Sequence, residues 1–170
     1  MDPQNPYQSP QSSLATPDTG NQELADRGVR LVAAIIDGVI MLVLMLPLMF
    51  IGGYFNAVME ASQTGQQPYG LQILWGIGGL LLFFAVQYLP LSQTGQTWGK
   101  KVMKIKIVDL DGQKPSIGTL LGKRYLFSQG VGIIPCLGAV IALVDVLMIF
   151  REDRRCLHDQ IAGTRVVIAR

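Results

Sequence analysis

Apolar residues gather into three long runs separated by polar segments. Residues 31–51 contain one charge, Asp37; residues 71–91 contain none; residues 131–150 contain one, Asp145. A bilayer core about 30 Å thick takes roughly 20 apolar residues of helix, at about 1.5 Å each. Each run reaches that length, and a soluble helix this long with no polar face would be unusual. The pattern predicts an all-α integral membrane protein. A different periodicity lies between the second and third runs. Met103, Ile105 and Ile107 alternate with Lys104 and Lys106, the period of a strand, and the turn dipeptide Asp111–Gly112 follows. Residues 164–168 (TRVVI) read as a second strand. Two lone strands are marginal unless paired, and pairing needs both on the same side of the membrane.

Basic residues predict the orientation. Of 14 Lys and Arg, two lie in residues 1–30, none in 52–70, seven in 92–130 and five in 151–170. Basic loops stay cytoplasmic. Three crossings would leave the last five outside, so residues 116–134 must also enter the membrane. That stretch is mostly apolar around Lys123 and Arg124, and just after it Pro135 and Gly138 interrupt the helical pattern. The expectation is two full transmembrane helices, at about 31–51 and 71–91, then a membrane helix hairpin at about 116–150. Residues 136–150 give roughly 22 Å of helix, so a re-entrant or tilted hairpin fits better than two full spans. The alternative is an interfacial helix at 116–130 with a single third span and an outside tail.

The rest of the chain fits around these segments. Residues 1–23 hold four prolines and no Lys or Arg, which is not a secretory signal, and read as a disordered cytoplasmic tail. The membrane domain runs over 24–168, with a small cytoplasmic β element at about 98–115 and a cytoplasmic tail at 151–170. The expected location is a bacterial cytoplasmic (inner) membrane, multi-pass, with both termini cytoplasmic.

Composition narrows the function classes. The chain has 170 residues, 49 % hydrophobic and 15 % charged, against about 25 % charged in a typical soluble domain. A net charge of +2 is too small to suggest nucleic-acid binding. Cys136 and Cys156 are too few for a disulfide framework, and a single histidine, His158, excludes a His-rich metal site. No metal or cofactor is expected.

Asp37 is the strongest chemical signal. A carboxylate in a span costs about 2.5–3.5 kcal/mol on insertion scales, so it faces protein or water and has a partner. It reads as an ion-binding group or as half of a structural ion pair. Arg30 lies seven residues earlier on the same helical face, with Asp37 about 10 Å deeper. Arg30 reads equally as a simple basic anchor. Asp145 sits at a similar depth if the C-terminus is inside. Two carboxylates at one depth could share a proton or hold a cation, with Lys123 or Arg124 as counter-charge. Gly95-Gln-Thr-Trp-Gly-Lys-Lys resembles a phosphate loop but lacks its glycine spacing and the Ser or Thr after Lys. No nucleophile accompanies His158–Asp159 in a recognisable pattern, so no enzyme is expected.

Three segments together resemble the RDD family of small, mainly bacterial membrane proteins: Ala25-Asp-Arg-Gly-Val-Arg30 through Asp37, Gly95 through Gly112, and Arg154-Arg-Cys-Leu-His-Asp159 through Thr164. The resemblance covers about residues 24–168. It implies that Arg30 is the family arginine, with Arg27 a competitor, and that Asp37 is the first family aspartate. Asp145 and Asp159 both remain candidates for the second. Arg124 matches an arginine that follows the strand region.

Two functions are expected. One is membrane transport of small ions, as cation/proton exchange. Asp37 and Asp145 would bind a proton or monovalent cation, tuned by Arg30 and Arg124, in a homo-oligomer because one chain offers few helices. The alternative is a non-transporting accessory or assembly protein, binding a partner or anionic lipid at its cytoplasmic face.

Overall fold

The computed structural model describes residues 22–131 and 137–169. The tail expected to be disordered lies outside them up to residue 21, as do Pro135 and Cys136. Helix α1 (Arg27–Ile51) begins where the Asp26 carboxylate accepts a hydrogen bond from Gly28 N at 2.8 Å, an N-cap that satisfies a free helix donor. Gly52 and Gly53 end it, and the loop expected beyond holds a further helix, α2 (Tyr54–Thr64). Helix α3 (Tyr69–Thr94) ends on Gly95, whose φ of +68° is the left-handed cap that glycine adopts without strain. Both α1 and α3 are long and apolar enough to cross a membrane, and little of either is covered by protein. Leu42, Val43, Phe50, Leu74 and Leu81 are exposed along them, a surface that needs lipid.

The rest gathers at one end of these helices. Residues expected as strand from 98 begin instead as a short helix, α4 (Trp98–Val102), started by the Thr97 hydroxyl accepting from Lys100 N. Strand β1 (Ile105–Asp109) follows, and Gly112 turns the chain at φ +80° without starting a hairpin strand. The partner of β1 is instead β2 (Thr164–Ile168), antiparallel with Ile107 opposite Val166. On the other edge of β2, Ala25 N donates to Val166 O and Ile168 N to Glu23 O, both at 3.0 Å. Both ends of the described chain therefore lie side by side, before α1 and after the last helix. Ala25, Ile105, Ile107, Leu120 and Val166 form the buried core beneath the sheet, joined by Ala33, Phe83 and Leu91 from the long helices.

A π-helical turn (Thr119–Tyr125) leads into α5 (Leu126–Gly130). Beyond the undescribed residues, α6 (Leu137–Leu147) and a 3₁₀ turn (Met148–Phe150) return. Arg124 in the π-helical turn and Asp145 in α6 both bond His158 in α7 (Leu157–Ala162), so these two residues meet at one place.

Candidate functional site

The centre of the polar end is Asp159, in the first turn of α7, with no solvent exposure. Arg30 Nη2 from α1 donates to its Oδ2 at 2.5 Å, and Arg124 Nη1 donates to Oδ1. Cys156 N donates to Oδ2 at 3.1 Å, and Arg124 also reaches the Thr164 hydroxyl at 2.6 Å. Burial alone would raise the Asp159 pKa. Arg124, His158 and Arg30 outweigh it and hold the carboxyl well below the usual carboxylate range. Asp159 is thus an ionised hub tying α1, the π-helical turn and β2 together. Arg154, at φ +50°, turns its carbonyl to Arg30 Nη1.

His158 links this hub to Asp145. Its Nε2 lies 3.2 Å from Arg124 Nη2, and Nδ1 lies 2.6 Å from Asp145 Oδ2. A guanidinium only donates, so Nε2 accepts and the Nδ1–H donates to Asp145. The backbone His158 N adds a 2.8 Å bond to Asp145 Oδ1. Burial, then the Arg124 charge, push the imidazole pKa below its ordinary value despite the carboxylates beside it.

Asp37 has a separate set of partners. Gly99 N donates to Oδ1 at 2.7 Å, Gln87 Nε2 to the same oxygen at 3.0 Å, and the Thr97 hydroxyl to Oδ2 at 2.5 Å. Gln87 Oε1 in turn accepts from Trp98 N at 3.1 Å. The carboxylate therefore fastens the start of α4 onto α1 and α3. Gly99 permits this approach, because a Cβ there would lie 2.1 Å from Ala33 O. The phosphate-loop-like run is this corner: Gly95 caps α3, Thr97 caps α4 and Gly99 lies on α1.

The sequence-selected groups thus assemble differently from the expected pairing. Arg30 and Arg124 both meet Asp159, and among the described residues neither bonds Asp37 or Asp145. No hydrogen bond joins Asp37 to Asp145 there either; each is engaged by other groups. His158, Gln87, Thr97 and Thr164 were not selected from sequence. In the sequence the polar residues at 87 and 97 have no readable partner, and His158 reads only as half of a catalytic dipeptide with Asp159, itself a candidate family aspartate.

A cavity of about 400 Å³ opens beside His158, between the start of α1 and the end of α6. Arg27, Arg30, Lys100, Arg124 and Asp145 give it charged walls. Cys156, His158 and Asp159 present possible metal-binding atoms within 4.8 Å of one another. The Arg30 and Arg124 guanidiniums occupy that space, and burial pushes the Cys156 thiol up to about 11, so this cluster does not favour a cation.

Comparison with known proteins places these residues in a family. The RDD family model matches residues 24–163. The uncharacterized protein YckC of Bacillus subtilis (strain 168) is 33 % identical over 112 residues, covering 62 % of this chain and 66 % of that protein, just under two thirds. The uncharacterized protein YxaI of the same organism is 28 % identical over 152 residues, covering 82 % of this chain and 93 % of that protein. No solved structure matches the chain. Arg30, Asp37, Arg124, Asp145 and Asp159 all fall within the matched residues, and the chain belongs to the RDD family.

Proposed function

We propose that this protein is a non-transporting accessory or assembly protein of the bacterial cytoplasmic membrane, engaging a partner or anionic lipid at its cytoplasmic face. The observation that carries this reading is the cavity beside His158, where four cationic side chains line the wall against Asp145, with Asp159 behind Arg30 and Arg124. A surplus of positive charge repels a transported cation and attracts an anion. The intramembrane carboxylate Asp37 is also already engaged by three donors, a poor state for a group that must exchange its ligand each cycle. In this reading α1 and α3 are full spans. The limbs at 119–130 and 137–150 are re-entrant, since 12–14 residues make only about 18–21 Å of helix. The basic segments and both termini are then cytoplasmic.

Ion transport is the second reading, favoured by the Asp145–His158 pair beside the same cavity, a place where a proton could enter and leave. A trapped pH dye in proteoliposomes, pulsed with Na⁺ or K⁺ between about pH 6 and 9, separates the two. The accessory reading expects no proton movement beyond that of protein-free vesicles. Proton movement that disappears in Asp145→Asn makes transport the function.

A further inference from the structure

Among the described residues the positive charge on the cavity walls is only partly balanced. Arg30 and Arg124 share the single carboxylate of Asp159, and Asp145 is engaged by His158. Arg27 bonds the carbonyl oxygens of Ile149, Phe150 and Arg151 at 3.1–3.5 Å and lies over the Phe150 ring. Lys100 Nζ meets the Tyr125 hydroxyl at 3.4 Å. Among the described residues neither Arg27 nor Lys100 has an ion-pair partner. Arg124 is 1 % exposed, and its Nε is a buried donor with no acceptor among those residues. The apolar part of the wall is Leu31 and Ala34 of α1, Val146 of α6, and Ile149 and Phe150 of the 3₁₀ turn. Leu31, Val146 and Phe150 are 56 %, 53 % and 65 % exposed, so the mouth lies among uncovered apolar side chains.

We infer that this cavity holds the phosphate of an anionic glycerophospholipid, with Arg27 and Lys100 as its counter-charges and its acyl chains along the exposed faces of α1 and α6. The inference rests on the accessory reading and names the lipid arm of it. The charge selects an anionic headgroup over a zwitterionic one, whose ammonium would be brought up against Arg27 and Lys100, the two cations without an ion-pair partner among the described residues. The apolar mouth selects a lipid over a free anion, which gains nothing from Leu31, Val146 or Phe150. The volume lies within the range of about 300–1,000 Å³ usual for ligand pockets and accommodates a phosphate with its glycerol. Basic pockets between membrane helices on the cytoplasmic side are suited to such headgroups.

Native mass spectrometry of the full chain released from detergent micelles tests this. The probes are phosphatidylglycerol, phosphatidylcholine with the same acyl chains, and inorganic phosphate. Phosphatidylglycerol should remain bound where phosphatidylcholine does not. Lys100→Gln should weaken it about fivefold, the usual worth of one basic residue near an anionic headgroup, and Arg27→Gln/Lys100→Gln about 25-fold. Because Arg27 also holds carbonyls of the 3₁₀ turn and of Arg151 after it, Ala34→Phe serves as a second variant that fills the cavity without changing charge. It should remove the bound lipid while circular dichroism and thermal unfolding report a folded protein. Equal retention of both lipids, or phosphatidylglycerol binding unchanged in Lys100→Gln and Ala34→Phe, overturns the site. Inorganic phosphate displacing the lipid at equal concentration makes it a free-anion site and also overturns the proposal. None of these results touches the vesicle proton measurement, so the lipid site and the accessory reading fail separately.

Discussion

Arg30 and Asp159 stand 129 positions apart in the chain and meet at 2.5 Å, both inaccessible or nearly so to solvent. The pair fastens the start of the first long helix to the last helix. Arg124 grips the other oxygen of the same carboxylate, so three remote segments converge on one charge. Removing one member of a buried charge pair costs about 3–5 kcal/mol, because the other is left uncompensated. Asp159→Asn strands two guanidiniums and should be the most damaging single change in the cluster. Thermal unfolding in detergent should show Asp159→Asn/Arg124→Gln losing less than the sum of the single variants. Strict additivity would mean that the two do not interact.

Asp37 should behave as a structural clamp. Asparagine keeps one acceptor oxygen where the carboxylate accepts from Gly99 N, Gln87 and Thr97. Hydrogen bonds to a charged acceptor contribute about 1.5–3 kcal/mol each, so Asp37→Asn should destabilise by at least about 2 kcal/mol. Gly99→Ala should do comparable damage with no change of charge, because its Cβ would overlap Ala33 O. Thermal unfolding of both variants checks this. If Asp37→Asn unfolds like the wild type while Gly99→Ala does not, the clamp is steric and the carboxylate is idle.

The long-range assignment of charges was hidden where the fold itself was readable. The apolar runs delimit α1 and α3 to within a few residues, and the period of two in 103–107 locates β1, because both signals are local. The pairing of β1 with β2 was readable only because two lone strands need each other. Which carboxylate Arg30 would meet was not local. Helical spacing put Asp37 on its face, but Thr97 and Gly99 arrive on a separate corner and take that carboxylate first. Asp159 could not be told from Asp145 because what separates them is three-dimensional: Cys156 N and two guanidiniums surround one, His158 the other.

Sidedness has its own test. The described ends are bonded to each other through β2, so residues near 23 and near 168 share one face of the membrane. In a background with Cys136 and Cys156 replaced by serine, Gln66→Cys beyond α2 should react with an impermeant maleimide added to intact cells. Glu152→Cys should react only after the membrane is opened. Labelling of Glu152→Cys from outside would place α7 and β2 on the external face and leave the five basic residues of that tail against the positive-inside rule.

His158 sets the expected pH dependence. It is the chain's only histidine, so no other side chain of ordinary pKa titrates between about pH 7 and 5. Burial and then Arg124 depress its pKa in the folded protein, while unfolding restores a value near 6.5. Below about pH 6.5 the unfolded chain therefore takes up a proton that the folded one refuses, and stability falls as pH falls until the folded pKa is passed. Asp159 does not interfere in this range. Its folded pKa is also depressed, but its stabilisation persists at any pH above about 3.9 and is lost only as pH drops through the folded value. Melting temperatures in detergent at about pH 7.5, 6.5 and 5.5 should thus decline for the wild type and stay level for His158→Gln, which can still donate to Asp145 but carries no titrating proton. A wild-type melting temperature that climbs on acidification would mean that Asp145 wins over burial and Arg124. The imidazole would then be charged in the folded state, and its Nε2 could no longer accept from Arg124.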